Sequence, residues 1–327
     1  MFKRPRLSRP TTIVNVALAT SLIFLAACGD PKSEETPAEP EIALPAEPIP
    51  GINSYKVQAV WATRAVDAPI TDLAFIGGSD PLIGAVLSSG ELQIFSVQGD
   101  RITETVDLDI TAIATGQAVV LDGAAISLFP GIGQSGDVNL YAYAPALEMP
   151  VKIDIDSEAN AAGICAGAPL DDTALMQIAY WTEEAPTVLV QGHIVQAENG
   201  DPAFAALGTH SSGDDPITAC TIDADIKLAT RRIGHTMATL EKFGQKFTLA
   251  LTSSNLLSAT NASGDIKRVD IAEGLTVKVP SPPTAMAALS NVEFGNYPDG
   301  LIILAGPVGG AHQITLIEPG GLFRDNN

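Results

Sequence analysis

A unit of four short strand-like runs, joined by tight turns, constrains this chain more than any other feature. Between Ile70 and Leu108 it reads ITDLAFIGG, PLIGAVLSS, GELQIFSVQG and DRITETVDL, broken by Gly, Ser and Asp. Leu82 to Leu87 is almost wholly apolar, as a strand buried on both faces requires. The last run alternates, with Ile102, Val106 and Leu108 on one face and Arg101, Thr103, Thr105 and Asp107 on the other. Buried inner strands followed by a half-solvated outer one describe a propeller blade.

Similar words open further units: Ile110-Thr111-Ala112, Ala162-Gly163-Ile164, Ile217-Thr218-Ala219 and Thr284-Ala285-Met286. Most intervals fall within blade length, about 40 to 55 residues. Each opener leads into apolar runs, and Tyr55 to Thr63 supplies a strand before the first of them. That strand is expected to close the ring by joining the last blade, which ends at His312 to Glu318. His235 to Phe243 reads as a short turn of helix at best. The expected fold class is all-β: a single β-propeller of five blades over residues 54–323. Six is the alternative, if Thr276 to Pro283 hides a strand pair.

The 327 residues suffice for one large β domain, and 46% hydrophobic content fills its core. Aromatics at 5% argue against a stacking platform for sugars or bases. The formal charge is −20, so the surface repels phosphate backbones and nucleic acid is excluded as a partner.

Residues 1–27 combine Lys3, Arg4, Arg6 and Arg9 with an apolar run, Ile13 to Ala27, too short for a spanning helix. Leu25-Ala26-Ala27-Cys28 resembles the lipobox of bacterial lipoproteins. The resemblance implies cleavage before Cys28 and a lipid anchor on its sulfur. Gly29 after the cysteine implies the outer membrane, with the domain in the periplasm or at the cell surface. Removing the leader leaves 14 basic residues against 38 acidic ones, or −24. Residues 28–53 then form a disordered tether. Pro31 to Pro50 holds Pro37, Pro40, Pro45, Pro48 and five Glu, so it stays extended and spans roughly 60 Å.

Four phrases resemble those of the β-propeller phytases, in the same order along the chain. They are Gly90 to Gly99 (GELQIFSVQG), Asp137 to Tyr143, Ile271 to Val277 (IAEGLTV) and Asn296 to Leu301 (NYPDGL). The resemblance covers residue 55 to the C-terminus and implies calcium held by carboxylates, with basic residues facing phosphate. Residue by residue, little of that site carries over. Glu273 matches a family acid, Asp223 matches another, and Asp67 remains from an Asp-Asp-Pro phrase. These three are the candidate metal ligands. Arg231 and Arg232 stand where the family has ligating acids, and make an anion-binding candidate. The blade that the family places between its Glu-Gly-Leu-Thr motif and the closing blade is missing.

Other signals reduce to structure. Gly131-Ile132-Gly133-Gln134-Ser135-Gly136 matches G-x-G-x-x-G by letter, but a strand follows where a dinucleotide site needs a helix, so it reads as a hairpin loop. Gly213-Asp214-Asp215-Pro216 reads as a turn, and Asp154 to Glu158 as a strand end. His193, His210, His235 and His312 lack ligand spacing. Cys165 and Cys220 both follow blade openers, which places them on neighbouring inner strands and predicts a disulfide. The expected function is a non-catalytic, membrane-anchored scaffold without a cofactor, binding an envelope protein. The alternative is a calcium-dependent phytase-like phosphate-ester hydrolase.

Overall fold

Among the described residues the apolar runs become strands, and most strands adjacent in sequence within a sheet pair as hairpins. A computed structural model describes residues 54–324 apart from 78–79, 122, 156, 158–159, 170–172, 199, 224, 231–234, 253 and 291–296. Cys28, with the leader and tether, lies outside the described residues, as do Arg231 and Arg232.

The described residues open with β1 (Tyr55–Ala62), which is followed by a four-stranded sheet. Its strands are β2 (Ile70–Ile76), β3 (Leu82–Leu87), β4 (Glu91–Ser96) and β5 (Val106–Asp107), in that order. A second sheet takes β6 (Ile110–Ile113), β7 (Gln117–Leu121), β8 (Ala124–Gly133), β9 (Val138–Tyr143) and β10 (Val151–Asp154). Its order is β6-β8-β9-β10, with β7 also on β8. The third is β11 (Ala161–Gly167), β12 (Ala174–Thr182), β13 (Val188–Gln196) and β14 (Pro202–Ser211). A bare hairpin follows, β15 (Ile217–Ile222) with β16 (Ile226–Thr230).

The remaining strands are β17 (Thr236–Lys242), β18 (Gln245–Leu251), β19 (Leu257–Asn261), β20 (Ile266–Ala272), β21 (Ala285–Leu289), β22 (Leu301–Val308) and β23 (Ala311–Glu318). With β1 they form one eight-stranded sheet, ordered β17-β18-β19-β20-β1-β23-β22-β21. As the sequence predicts, β1 joins the closing strands. It pairs antiparallel with β23 and also parallel with β20, which fuses two groups of strands into one sheet. The only described helices are a 3-10 turn at Pro145–Leu147 and α1 (Gly320–Arg324), so the fold is all-β.

The first strands stand side by side in a cycle: β2 contacts β6, β6 contacts β11, β11 contacts β15, β15 contacts β17, β17 contacts β21, and β21 returns to β2. Behind them the sheets stack face to face. Because side chains alternate along a strand, one strand feeds two cores. On β22, Leu301, Ile303 and Ala305 pack toward Phe75, Ile83 and Phe95, whereas Ile302 and Leu304 pack toward Tyr55, Phe247 and Leu249. On β3, Ile83, Ala85 and Leu87 join the first of those cores and Val86 joins Phe129 and Tyr141. That double use is why these strands read as unbroken apolar runs.

The recurring openers mark a recurring irregularity. The register slips by one residue between Ile70 and Asp72, between Ile110 and Ala112, between Ala161 and Gly163, and between Ile217 and Ala219. These four strands thus each carry a bulge at the start, whereas β17 and β21 pair without a shift. At two of them the extra residue is a threonine whose hydroxyl donates to a carbonyl of the facing strand, Thr71 to Val86 O at 3.3 Å and Thr111 to Ile132 O at 3.1 Å. A bulge turns one residue out of the ladder, and the threonine hydroxyl reconnects it.

Three details depart from the sequence reading. The outer run of the first unit is a strand only at Val106–Asp107, and Thr103, expected outward, is buried while Ile102 is exposed. Its hydroxyl accepts from the N–H of Ile94 at 3.2 Å, satisfying an edge donor of β4 that the short β5 does not reach. Among the described residues Thr276 to Pro283 holds no strand. Instead His235 to Phe243, read as a turn of helix, is β17, which separates the Ile217 opener from the strands after it.

Candidate functional site

The cycle of first strands surrounds a cavity of about 1160 Å³ that opens to solvent. Every first strand contributes to its wall: Thr71 and Asp72 from β2, Thr111 from β6, Ala162 from β11, Thr218 from β15, Thr236 from β17 and Met286 from β21. The wall is therefore made mainly of hydroxyls and small side chains, because the openers place Thr or Ala at the bulge. Ionisable groups are few. Asp72, Asp223, His235, Glu241 and Lys242 line it, together with Cys165 and Cys220.

Asp72 breaks the pattern of the openers. Where β2 has a carboxylate after the bulge, β6 has Ala112, β11 has Gly163 and β15 has Ala219. Its two oxygens accept from different strands, Oδ1 from the N–H of Leu73 on β2 and Oδ2 from the N–H of Ile113 on β6, both at 2.9 Å. It opens on the cavity yet is surrounded by protein. Burial pushes its carboxyl up to about 6, outweighing the two backbone N–H donors that favour the charged form. His235, at the start of β17, is held below the usual imidazole range, again chiefly by burial.

Side chains clasp other joints of the ring as well. Thr284 donates to Ile70 O at 2.7 Å, tying β21 to β2. The hydroxyls of Thr221 and Thr239 meet at 3.2 Å between β15 and β17. Ser290 accepts from the N–H of Glu241 at 3.0 Å, between β21 and β17. Between β11 and β15 the clasp is covalent: Cys165 and Cys220 form a disulfide with Cα atoms 5.7 Å apart, as the sequence predicts.

The candidate calcium ligands occupy different places. Asp223 follows β15, lines the cavity and forms an ion pair with Lys246. Glu273 follows β20 on the outside, where Lys278 donates to it at 2.6 Å and draws its carboxyl below the usual range. Asp67 is exposed in the loop before β2. No group of three or more His, Cys, Asp or Glu side chains suited to a metal is present among the described residues.

One rim of the cavity carries a feature that the sequence reading missed. Phe243 and Gly244 form a two-residue turn between β17 and β18, with φ of 51° and 75°. Positive φ at both positions is the hairpin geometry that favours Asn-Gly, and an aromatic there is strained. The ring is 91% exposed, with Lys242 Nζ 4.8 Å from its centroid, while Lys242 itself pairs with Asp299. Asp72 and Phe243 both left traces in the sequence: a lone acid among otherwise small residues after the openers, and a Phe-Gly step between two runs of strand length. Compared with known proteins, the chain matches no family model and no curated protein.

Proposed function

We propose that the chain is a lipidated envelope protein whose β domain is a propeller of six units, and that it acts by binding. The observation that carries the reading is the cavity into which each first strand delivers one short segment, since propellers gather their working surface at such an axis. Six units follow from counting first strands in the cycle, with β15–β16 as a unit reduced to a hairpin. The sequence reading expects five, with a sixth only from a strand pair at Thr276 to Pro283; the sixth unit proposed here begins instead at β17.

Binding is favoured over hydrolysis by the charges. Asp223 and Glu273 are each matched by a lysine, and Lys242, the one lysine of the cavity wall among the described residues, pairs with Asp299. A phosphate ester would meet Asp72 and Glu241 in that wall and no unengaged lysine or arginine among the described residues. The alternative, calcium-dependent hydrolysis, rests on the resemblance to phytases alone. The lipobox reading places the anchor on Cys28 in the outer membrane, with an envelope protein as partner of the domain.

Two experiments test this. Labelling cells with a fatty acid should mark the wild-type chain and leave Cys28→Ser unmarked; an unlabelled wild type removes the anchor. Native mass spectrometry of the full chain incubated with an envelope extract should show an adduct. That adduct should vanish in Ala162→Trp, which fills the cavity from an exposed position on β11. No adduct, or an adduct retained by the variant, counts against the cavity as the binding site.

A further inference from the structure

The outermost strands of the sheets are not protected alike. β5 has two residues and ends in Asp107; β10 has four, including Lys152 and Asp154; β16 has five, including Lys227; and β20 is covered by β1. Short length, charge and cover are the usual defences of an unpaired edge. Among the described residues β14 lacks all three. It runs ten residues, PAFAALGTHS, pairs with β13 on one side, and carries no charged side chain. Every residue from Ala205 to Ser211 is exposed, Leu207 to 55%. The register shift opposite Gln191 and Gly192 sets Leu207 out of the ladder, leaving arms of five and four residues on either side. Each arm equals or exceeds the whole of β10.

The charges at its two ends indicate what fits it. Exposed Glu198 precedes the strand, exposed Asp214 follows it, and the stretch from Gln196 to Pro216 contains no Lys or Arg. A neutral edge closed by acids at both ends complements an extended segment with a neutral middle and basic ends. It disfavours a second copy of this chain: antiparallel self-pairing centred on Ala206 would bring Glu198 against Asp214 of the mate, between bodies of charge −20 each.

We propose that β14 is a strand-addition site for an extended segment of a partner protein, with small or β-branched residues in its middle and Lys or Arg at both ends. Main-chain hydrogen bonds to the free edge supply affinity, and the end charges supply direction and on-rate. The site is separate from the cavity and stands whether or not the cavity takes a ligand.

The test uses the full chain in detergent and fluorescent peptides with an alternating Val-Thr core of eight residues. Lys-Lys at both ends should give saturable binding. Glu-Glu ends, or a Pro in the middle of the core, should weaken it at least tenfold. Raising the salt should weaken it too. Ala206→Lys and, separately, Leu207→Lys should each weaken it about tenfold while leaving the circular dichroism unchanged, both positions being exposed. Hydrogen exchange should show new protection confined to β14. The proposal fails if the three peptides bind alike, if none binds at millimolar concentration, or if binding survives both variants. It also fails if sedimentation finds a dimer that the same variants dissociate, since the edge then belongs to a second copy.

Discussion

At Asp72 one carboxylate holds two strands and meets the cavity, and its chemistry predicts how stability depends on pH. Its pKa is about 6 when folded, above the ordinary carboxylate value, so folding favours the protonated form. Its contribution is fully present below about pH 4 and is lost as pH rises through 6. A shift of this size is worth about 3 kcal/mol at most. Denaturant titrations from pH 4 to 7 should therefore show wild type losing stability relative to Asp72→Asn across that window. The variant removes the titration, although its amide nitrogen leaves one of the two N–H donors unmatched, at about 1–2 kcal/mol. A difference that stays flat from pH 4 to 7 would contradict this account of Asp72. A second prediction concerns Phe243. Asn tolerates positive φ better than Phe, so Phe243→Asn should stabilise the β17–β18 turn by roughly 0.5–1 kcal/mol in thermal melts. A loss of stability would mean that the ring contributes more to the fold than its exposure indicates.

The reduced unit β15–β16 depends on its neighbours, because a two-stranded hairpin is marginal by itself. Trp181 and Leu189 cover one side of it, and the disulfide fixes it to β11. Replacing both Cys165 and Cys220 by Ser reopens a loop of 55 residues and should lower stability by about 4 kcal/mol in the chain-entropy model, read from denaturant titration. A loss below about 1 kcal/mol would mean that packing alone seats the hairpin. At this scale the limits of sequence reading are physical. The openers at Ile70, Ile110 and Ile217 were legible because each marks a bulge that needs a small or hydroxyl residue after an apolar one. β17 was not, because Met237, Ala238, Leu240, Glu241 and Lys242 are all good helix formers. Pairing with β18 overrides that preference. The Cys165–Cys220 bond was legible because it needs only two equivalent positions on adjacent strands. The clasp by Asp72 was not, since its partner is a backbone N–H 41 residues away.

The described domain is a cycle of first strands closed by its first and last strands, with β1 lying between β20 and β23. Closure leaves a cavity with few ionisable groups in a strongly acidic chain, a combination that disfavours polyanionic esters and underlies the binding proposed above. The resemblance to phytases and the charge pattern point in opposite directions on activity. One measurement decides between them most directly: release of inorganic phosphate from phytate and from a simple monoester, by the purified full chain with calcium added. The binding account predicts no release above buffer, for wild type and for Glu273→Gln alike. Calcium-dependent turnover at an ordinary enzyme rate, about 1 s⁻¹ or faster, present in wild type and abolished by Glu273→Gln, would contradict it.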